Sequence, residues 1–236
     1  PGSDDAGVLF ARKANELHIG NEAGKMDFEH RRDSLCGKIA MCNVLRQHKL
    51  KYTLFQPFTC NPTDPEFKEH IEKFAAICRV VNGMKRCNIG AIGARTTAFK
   101  TVRFDEIAMQ NVGINVETID LAEVFARMEK IEQERVDAKV IDYLAITDFG
   151  KYPMKKLETI ARIGVAIDDL ICEYDLQGIA LRCWNEFETK FGVAPCLVLC
   201  DLNERGIAAS CELDVNNTVM TRAISLAAAH PTMLLD

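Results

Sequence analysis

The chain has 236 residues, of which 48% are hydrophobic and 27% are charged, a composition that predicts a globular protein with a sizeable core. A formal net charge of −5 argues against the basic surface that nucleic acids and anionic membranes attract. No apolar run approaches the ~20 residues of a membrane span. From the charge and the lack of such a run, we expect neither a nucleic-acid nor a membrane partner.

The chain contains 10 cysteines, and none of them forms a Cys-x-x-Cys pair. A structural zinc site would require such closely spaced ligands. We therefore predict reduced thiols that behave as small hydrophobic residues in a cytoplasmic protein.

The first part of the chain alternates short apolar runs with longer helical patterns, which is typical of βαβ units. Residues 8–11 and 52–55 are predicted strands. Asp33 and Ser34 can cap a helix that runs to about residue 48, and Pro65 marks the first turn of another that runs to about residue 81. Two strands are too few for a sheet that is stable on its own, so we expect this lobe to be truncated.

The second part of the chain repeats the same alternation. Predicted strands are residues 88–93, 116–119, 179–183, 195–200 and 232–235; predicted helices are residues 104–111, 121–146 with an interruption, 153–173, 185–191 and most of 206–230. The fold class is therefore α/β, with two parallel-sheet lobes of the Rossmann or flavodoxin type. Residues 4–86 would form the remainder of an N-terminal α/β domain, and residues 87–236 a central Rossmann-like domain.

Glu212 and Asp236 are the candidate site residues near the end of the chain, where the first follows a turn and the second closes an apolar run. Open α/β sheets bind ligands at the carboxyl ends of their strands, and two carboxylates there can hold a hard divalent cation. On the residues alone, capping or a dipole interaction is the commoner role for an acid near a helix start.

Several separated motifs resemble those of the L-fucose and L-arabinose isomerase superfamily. In the motif Glu212-x-Asp214, Glu212 lies 24 positions before Asp236, like the two metal-binding acids of L-fucose isomerases. Other runs similar to that family occur at residues 32–37, 89–106 and 183–212. The resemblance implies a three-domain subunit, of which this chain supplies the later part of the first domain and nearly all of the second. A C-terminal domain carrying a histidine metal ligand would be absent. The resemblance also implies a homo-oligomer, a divalent cation such as Mn²⁺ and a monosaccharide substrate such as L-fucose.

Aldose–ketose interconversion moves a proton between adjacent carbons through an enediol, which suits such a site. A divalent metal can bind two substrate oxygens and stabilise the developing charge, while carboxylates transfer the proton. We assign Glu212 and Asp236 as metal ligands with a share in acid–base catalysis. Arg95 and Trp184 are candidate substrate-binding residues, although a surface arginine and plain packing are the simpler interpretations.

Two other functions remain open on the sequence. A non-catalytic module that binds a sugar or another small ligand would have the same fold. A nucleotide-dependent enzyme could use Gly90-x-x-Gly93, although the fuller nucleotide-binding motif is missing. Without the histidine ligand, we expect the 236-residue chain alone to bind metal weakly and to show no isomerase activity.

Overall fold

The computed structural model describes residues 34–56, 58–60 and 62–233, and the chain divides into two compact units, Pro1–Ala75 and Ala76–Asp236. The helices are α1 (Ser34–Gln47), α2 (Pro65–Met84), α3 (Glu106–Gln110), α4 (Leu121–Met128), α5 (Gln133–Ile146), α6 (Met154–Glu173), α7 (Glu186–Phe191), α8 (Cys196–Glu204) and α9 (Val215–Ala228). The strands are β1 (Cys87–Ile92), β2 (Ile114–Ile119), β3 (Gly178–Leu181) and β4 (Ala208–Cys211), and a 3₁₀ turn spans Lys100–Val102.

The first unit contains α1 and the start of α2, both close to their predicted positions. Pro65 is the first residue of α2, where its fixed φ angle suits a helix start. The strand predicted at residues 52–55 is wrong, because these residues have no regular structure and both Tyr52 and Leu54 are exposed over more than 40% of their surface. The strand predicted at residues 8–11 lies outside the described residues.

The second unit is organised around a sheet in the order β2-β1-β3-β4, in which all three strand pairs are parallel. Every residue of β3 is buried, as are five of the six residues of β1. Such continuous burial is typical of a parallel sheet that helices cover on both faces. The predicted α/β fold with a Rossmann-like parallel sheet is therefore confirmed.

The larger apolar core forms mainly between the sheet and helices α4, α5, α6 and α8. Its fully buried members include Val124, Leu157, Ile163, Ile167, Leu170, Ile179, Leu181 and Leu202. A smaller cluster contains Ile89, Ala91, Leu213 and Val215, with α9 packed beside β3 and β4. The interruption predicted within residues 121–146 is confirmed by the gap between α4 and α5.

One predicted element of this unit is wrong, and one strand was not predicted. Residues 195–200, predicted as a strand, begin the helix α8, with Pro195 as the residue before its first turn. Residues 206–230, predicted as mostly helical, contain the strand β4 as well as α9. The terminal strand predicted at 232–235 falls largely outside the described residues, and Thr232 and Met233 have no regular structure.

A partly buried ionic network joins α5, α6 and α8. The ammonium nitrogen of Lys139 lies 3.0 Å from Asp168 and 2.8 Å from Asp201, and Arg205 contacts the same two carboxylates. Because charges taken out of water require close partners, this arrangement fixes the relative positions of the three helices.

The 10 cysteines, all within the described residues, are free. Across residues 34–56, 58–60 and 62–233, no helix combines the length and the apolar character needed to cross a membrane.

Candidate active site

The carboxyl ends of β1, β3 and β4 lie side by side at one edge of the sheet. The chain passes from β1 to β2 on one side and then returns to β3 on the other side of β1. In open α/β sheets, the crevice at such a reversal of strand order is the usual ligand site. Gly93, Arg182 and Glu212 are the first residues beyond these strands.

Gly93 permits a close approach between the strand ends. Its φ angle is +92°, and a Cβ atom there would lie 3.0 Å from the Arg182 Cβ atom and 3.1 Å from Leu121. Gly90 lies within β1 and leaves room for the side chain of Leu176. The Gly90-x-x-Gly93 motif therefore serves packing and a tight turn. The next helix of any kind begins only at Lys100, so this loop lacks the adjacent helix start of a dinucleotide-binding motif.

Glu212 follows β4 directly and turns its carboxylate toward the end of β3. The thiol of Cys183 donates a hydrogen bond to the Oε1 atom of Glu212 across 3.1 Å. The Oε2 atom is buried and has no hydrogen-bond partner among the described residues. A buried carboxylate oxygen with unused lone pairs is the kind of atom that coordinates a cation, so Glu212 fits the predicted role of metal ligand.

Cys183 was not identified from the sequence as a site residue. Its side chain is buried, at 7% exposure, and burial raises the pKa of its thiol to about 12, with further increases from the hydrogen bond to Glu212 and from the negative charge of that residue. The thiol is therefore protonated at neutral pH. Two facts that only the fold supplies, the adjacency of β3 and β4 and their register, bring Cys183 and Glu212 together.

The turn that carries Glu212 has an unusual backbone. Glu212 and Leu213 have φ angles of 61° and 59°, in the left-handed region. Leu213 is buried, and Asp214 caps α9 by accepting a hydrogen bond from the amide of Asn217 at 3.0 Å. The backbone carbonyl of Asp214 also accepts a hydrogen bond from the Ser210 hydroxyl. These contacts hold the backbone of the turn, and with it the position from which the Glu212 side chain extends.

Trp184 lies beyond the end of β3 and is 44% exposed. Its ring packs against Phe99 with ring centroids 5.2 Å apart, and its carbonyl accepts a hydrogen bond from Arg182. The peptide bond between Trp184 and Asn185 is cis. This partly exposed ring lies at the carboxyl edge of the sheet, and its predicted contact with a sugar stays a prediction.

Arg95 lies in the loop after β1, and its guanidinium contacts backbone carbonyls of that loop. Its Nη1 atom donates to the carbonyls of Thr96 and Phe99, each at 3.2 Å. These bonds organise the loop that carries Phe99. The side chain is partly buried, and its predicted contact with substrate stays a prediction.

Asp236, the second predicted metal ligand, lies outside the described residues. Between residues 34 and 233, where the structure describes the chain, no group of three or more histidine, cysteine, aspartate or glutamate side chains converges on one point. Of the two predicted metal ligands, Glu212 is the one that lies within the described part of the chain.

Comparison with known proteins identifies relatives of one kind. Residues 18–85 match the fucose/sulfoquinovose isomerase N-terminal domain. The chain is 27% identical over 192 residues to a sulfoquinovose isomerase of Alkalicoccus urumqiensis, covering 79% of this chain and 42% of that protein. It is 27% identical over 200 residues to one from Priestia aryabhattai, covering 80% of this chain and 42% of that protein.

These matches support the resemblance of the chain to the fucose-isomerase-like superfamily. A third sulfoquinovose isomerase, from Clostridium sp. (strain MSTE9), is 28% identical over 156 residues, which are 64% of this chain and 35% of that protein. The resemblance seen in the sequence is thus confirmed at the level of the superfamily. The chain spans about 42% of the length of the first two curated relatives.

Proposed function

We propose that this chain forms part of a metal-dependent aldose–ketose isomerase that acts on a monosaccharide. The observation that carries the proposal is Glu212, which presents a buried, unpartnered carboxylate oxygen at the ligand-binding edge of the sheet in a chain that resembles this superfamily. An isomerase of this type interconverts an aldehyde and a ketone by moving one proton between neighbouring carbons.

Glu212 and Asp236 are the proposed ligands from this chain for a divalent cation, with Mn²⁺ as the first candidate. Oxygen ligands suit hard cations of this type. When bound, the metal would polarise the substrate oxygens and stabilise negative charge that develops beside them. The Glu212 carboxylate would supply negative charge to the cation. The hydrogen bond from Cys183 is to its Oε1 atom and leaves its Oε2 atom for the cation.

Trp184 and Arg95 are the proposed substrate contacts. The exposed indole ring would cover one face of the sugar and exclude water from it, and the guanidinium would donate to sugar oxygens from the loop after β1. Because the relatives are named sulfoquinovose isomerases, sulfoquinovose is the first substrate to test and L-fucose the second. The sulfonate group of sulfoquinovose would add an anion that an arginine can bind.

The test uses the product of the complete reading frame in which this chain occurs. Each sugar is incubated with the protein, and the aldose-to-ketose ratio is followed by NMR before chelation, after chelation and after addition of Mn²⁺. We expect turnover of at least one sugar, its loss on chelation and its recovery with the metal. Turnover that survives complete metal removal would contradict the proposal.

The matched variants are Glu212→Gln and Asp214→Asn. Glu212→Gln removes the proposed metal-binding charge and should lower turnover by about a hundredfold or more. Asp214→Asn removes a charge two positions away, but asparagine caps a helix as well as aspartate does, so turnover should be retained. Equal activity of both variants would refute the role of Glu212.

The same protein tests the alternative functions. A binding module would retain affinity for the sugar after chelation and produce no ketose. A nucleotide-dependent enzyme would show a higher Tm with NAD or ATP. The proposed homo-oligomer is tested by light scattering on the purified protein.

A further inference from the structure

Cys183 and Glu212 meet at the carboxyl ends of two paired strands. The register aligns Leu181 of β3 with Cys211 of β4, so Cys183 lies two residues beyond its strand and Glu212 one residue beyond the other. The separation between the thiol sulfur and the Oε1 atom is 3.1 Å. Because the sulfur is held at a buried position by the strand end, it is a fixed point relative to the more flexible glutamate side chain.

The hydrogen bond from Cys183 involves one oxygen of the Glu212 carboxylate and not the other. A carboxylate has about four lone-pair positions, and the thiol occupies one of those on Oε1. Oε2 is buried without a hydrogen-bond partner in the described part of the chain. The two oxygens therefore have different environments, one attached to the protein and one open to a ligand.

We propose that Cys183 is a positioning residue that orients the Glu212 carboxylate so that its Oε2 atom faces the bound cation. This inference rests on the proposed function, because it assigns Cys183 a role at the same site. Cys183 acts through Glu212 and is not itself a metal ligand.

A thiol suits this task for two physical reasons. Fixing a free glutamate side chain costs conformational entropy, so a carboxylate that is already oriented loses less when it binds a cation. A neutral thiol is also a weak donor, which orients the carboxylate without neutralising its charge. A lysine or arginine in the same place would form a strong ion pair and compete with the metal.

The experiment compares Cys183→Ala, Cys183→Ser, Glu212→Gln and the unaltered protein, each as the product of the complete reading frame. Free Mn²⁺ is measured by electron paramagnetic resonance during titration. Cys183→Ala should weaken Mn²⁺ binding by about tenfold, as expected for loss of a group that orients a ligand. Cys183→Ser restores a donor at nearly the same place and should bind within about threefold of the unaltered protein. The exposed Cys172→Ala controls for the loss of a thiol elsewhere and should have no effect.

A second measurement does not depend on the metal. Crystal structures of the metal-free proteins should show Glu212 in one orientation in the unaltered protein and in Cys183→Ser, and in another or several orientations in Cys183→Ala. An unchanged orientation of the Glu212 carboxylate in Cys183→Ala would overturn the inference. So would an unchanged Mn²⁺ affinity of Cys183→Ala if Glu212→Gln abolished Mn²⁺ binding. If the unaltered protein bound no Mn²⁺, the proposed metal dependence would fail separately, and the carboxylate orientation would still decide the role of Cys183.

Discussion

Replacing Gly164 with alanine tests how closely α6 packs against α5. An ideal Cβ atom on Gly164 would collide with the hydroxyl oxygen of Tyr143 and would lie 3.2 Å from the Cε atom of Lys139. Tyr143 is fully buried, and its hydroxyl has no hydrogen-bond partner among the described residues. The added methyl group must therefore displace a fully buried ring.

The expected magnitude follows from two opposing effects. Alanine is more favourable than glycine inside a helix by about 1 kcal/mol, whereas overpacking a core costs about 1–3 kcal/mol. We expect Gly164→Ala to lower the free energy of unfolding by about 1–2 kcal/mol. Tyr143→Phe removes the colliding oxygen, and the ring carbon that remains would lie 3.5 Å from the new Cβ atom, an ordinary contact. The double variant should therefore be more stable than Gly164→Ala by about 2 kcal/mol.

The assay is urea and thermal unfolding followed by the fluorescence of Trp184, the single tryptophan, which lies in the same compact unit. A change of 1 kcal/mol should shift Tm by about 2–4 °C in a domain of this size. Tyr143→Phe alone should be neutral or stabilising, since it removes a buried hydroxyl without a partner. If the effects of the two substitutions add within about 0.5 kcal/mol, the collision does not exist and the packing argument is refuted.

Four further predictions can be tested in the same unfolding assay. Lys139→Met removes the buried cation between Asp168 and Asp201 and leaves Arg205 as their remaining partner, so it should cost about 1–3 kcal/mol, and a loss below about 0.5 kcal/mol would contradict the network's role. Gly113→Ala places a Cβ atom against a backbone carbonyl at a φ angle of +91° and should cost more than Gly150→Ala, where nothing lies within 4 Å; equal losses would show that the contact is relaxed. Asn203→Ala removes buried hydrogen bonds to two backbone carbonyls and one amide and should cost about 2–3 kcal/mol, and an unchanged Tm would disprove their contribution. Glu212→Gly should leave Tm unchanged or higher, because glycine adopts a φ angle of 61° without strain, and a clear fall would show that this glutamate stabilises the fold.

Long amphipathic helices of this chain were more predictable than short apolar segments, and Pro65 and Pro195 illustrate the difference. Both residues stand at helix starts in the structure. The first precedes a long amphipathic pattern, which indicates a helix directly. The second precedes the short apolar run Cys-Leu-Val-Leu-Cys, which periodicity cannot distinguish from a buried strand. Only the three-dimensional structure shows that Val198, Leu199 and Leu202 are buried on one side of a helix, α8.

The candidate site was predictable in part. Glu212 and Trp184 follow apolar runs, and their place at the carboxyl edge of the sheet is consistent with the prediction from the sequence. Cys183 was missed because its significance depends on a contact across 29 positions of the chain. A thiol beside a carboxylate has no local sequence signal, since the register between β3 and β4 is set by packing of the whole sheet.

The conformation at Glu212 argues for function on energetic grounds. Left-handed backbone costs a non-glycine residue about 1–2 kcal/mol, and the turn contains two such residues in succession. Leu213 offsets this cost by burying its side chain in the core, whereas Glu212 adds a second cost by burying a carboxylate oxygen without a partner. Glycine would satisfy the backbone at position 212 without either penalty. A carboxylate kept where the fold alone favours glycine is therefore best explained by a ligand that binds it, which is the role proposed for the metal.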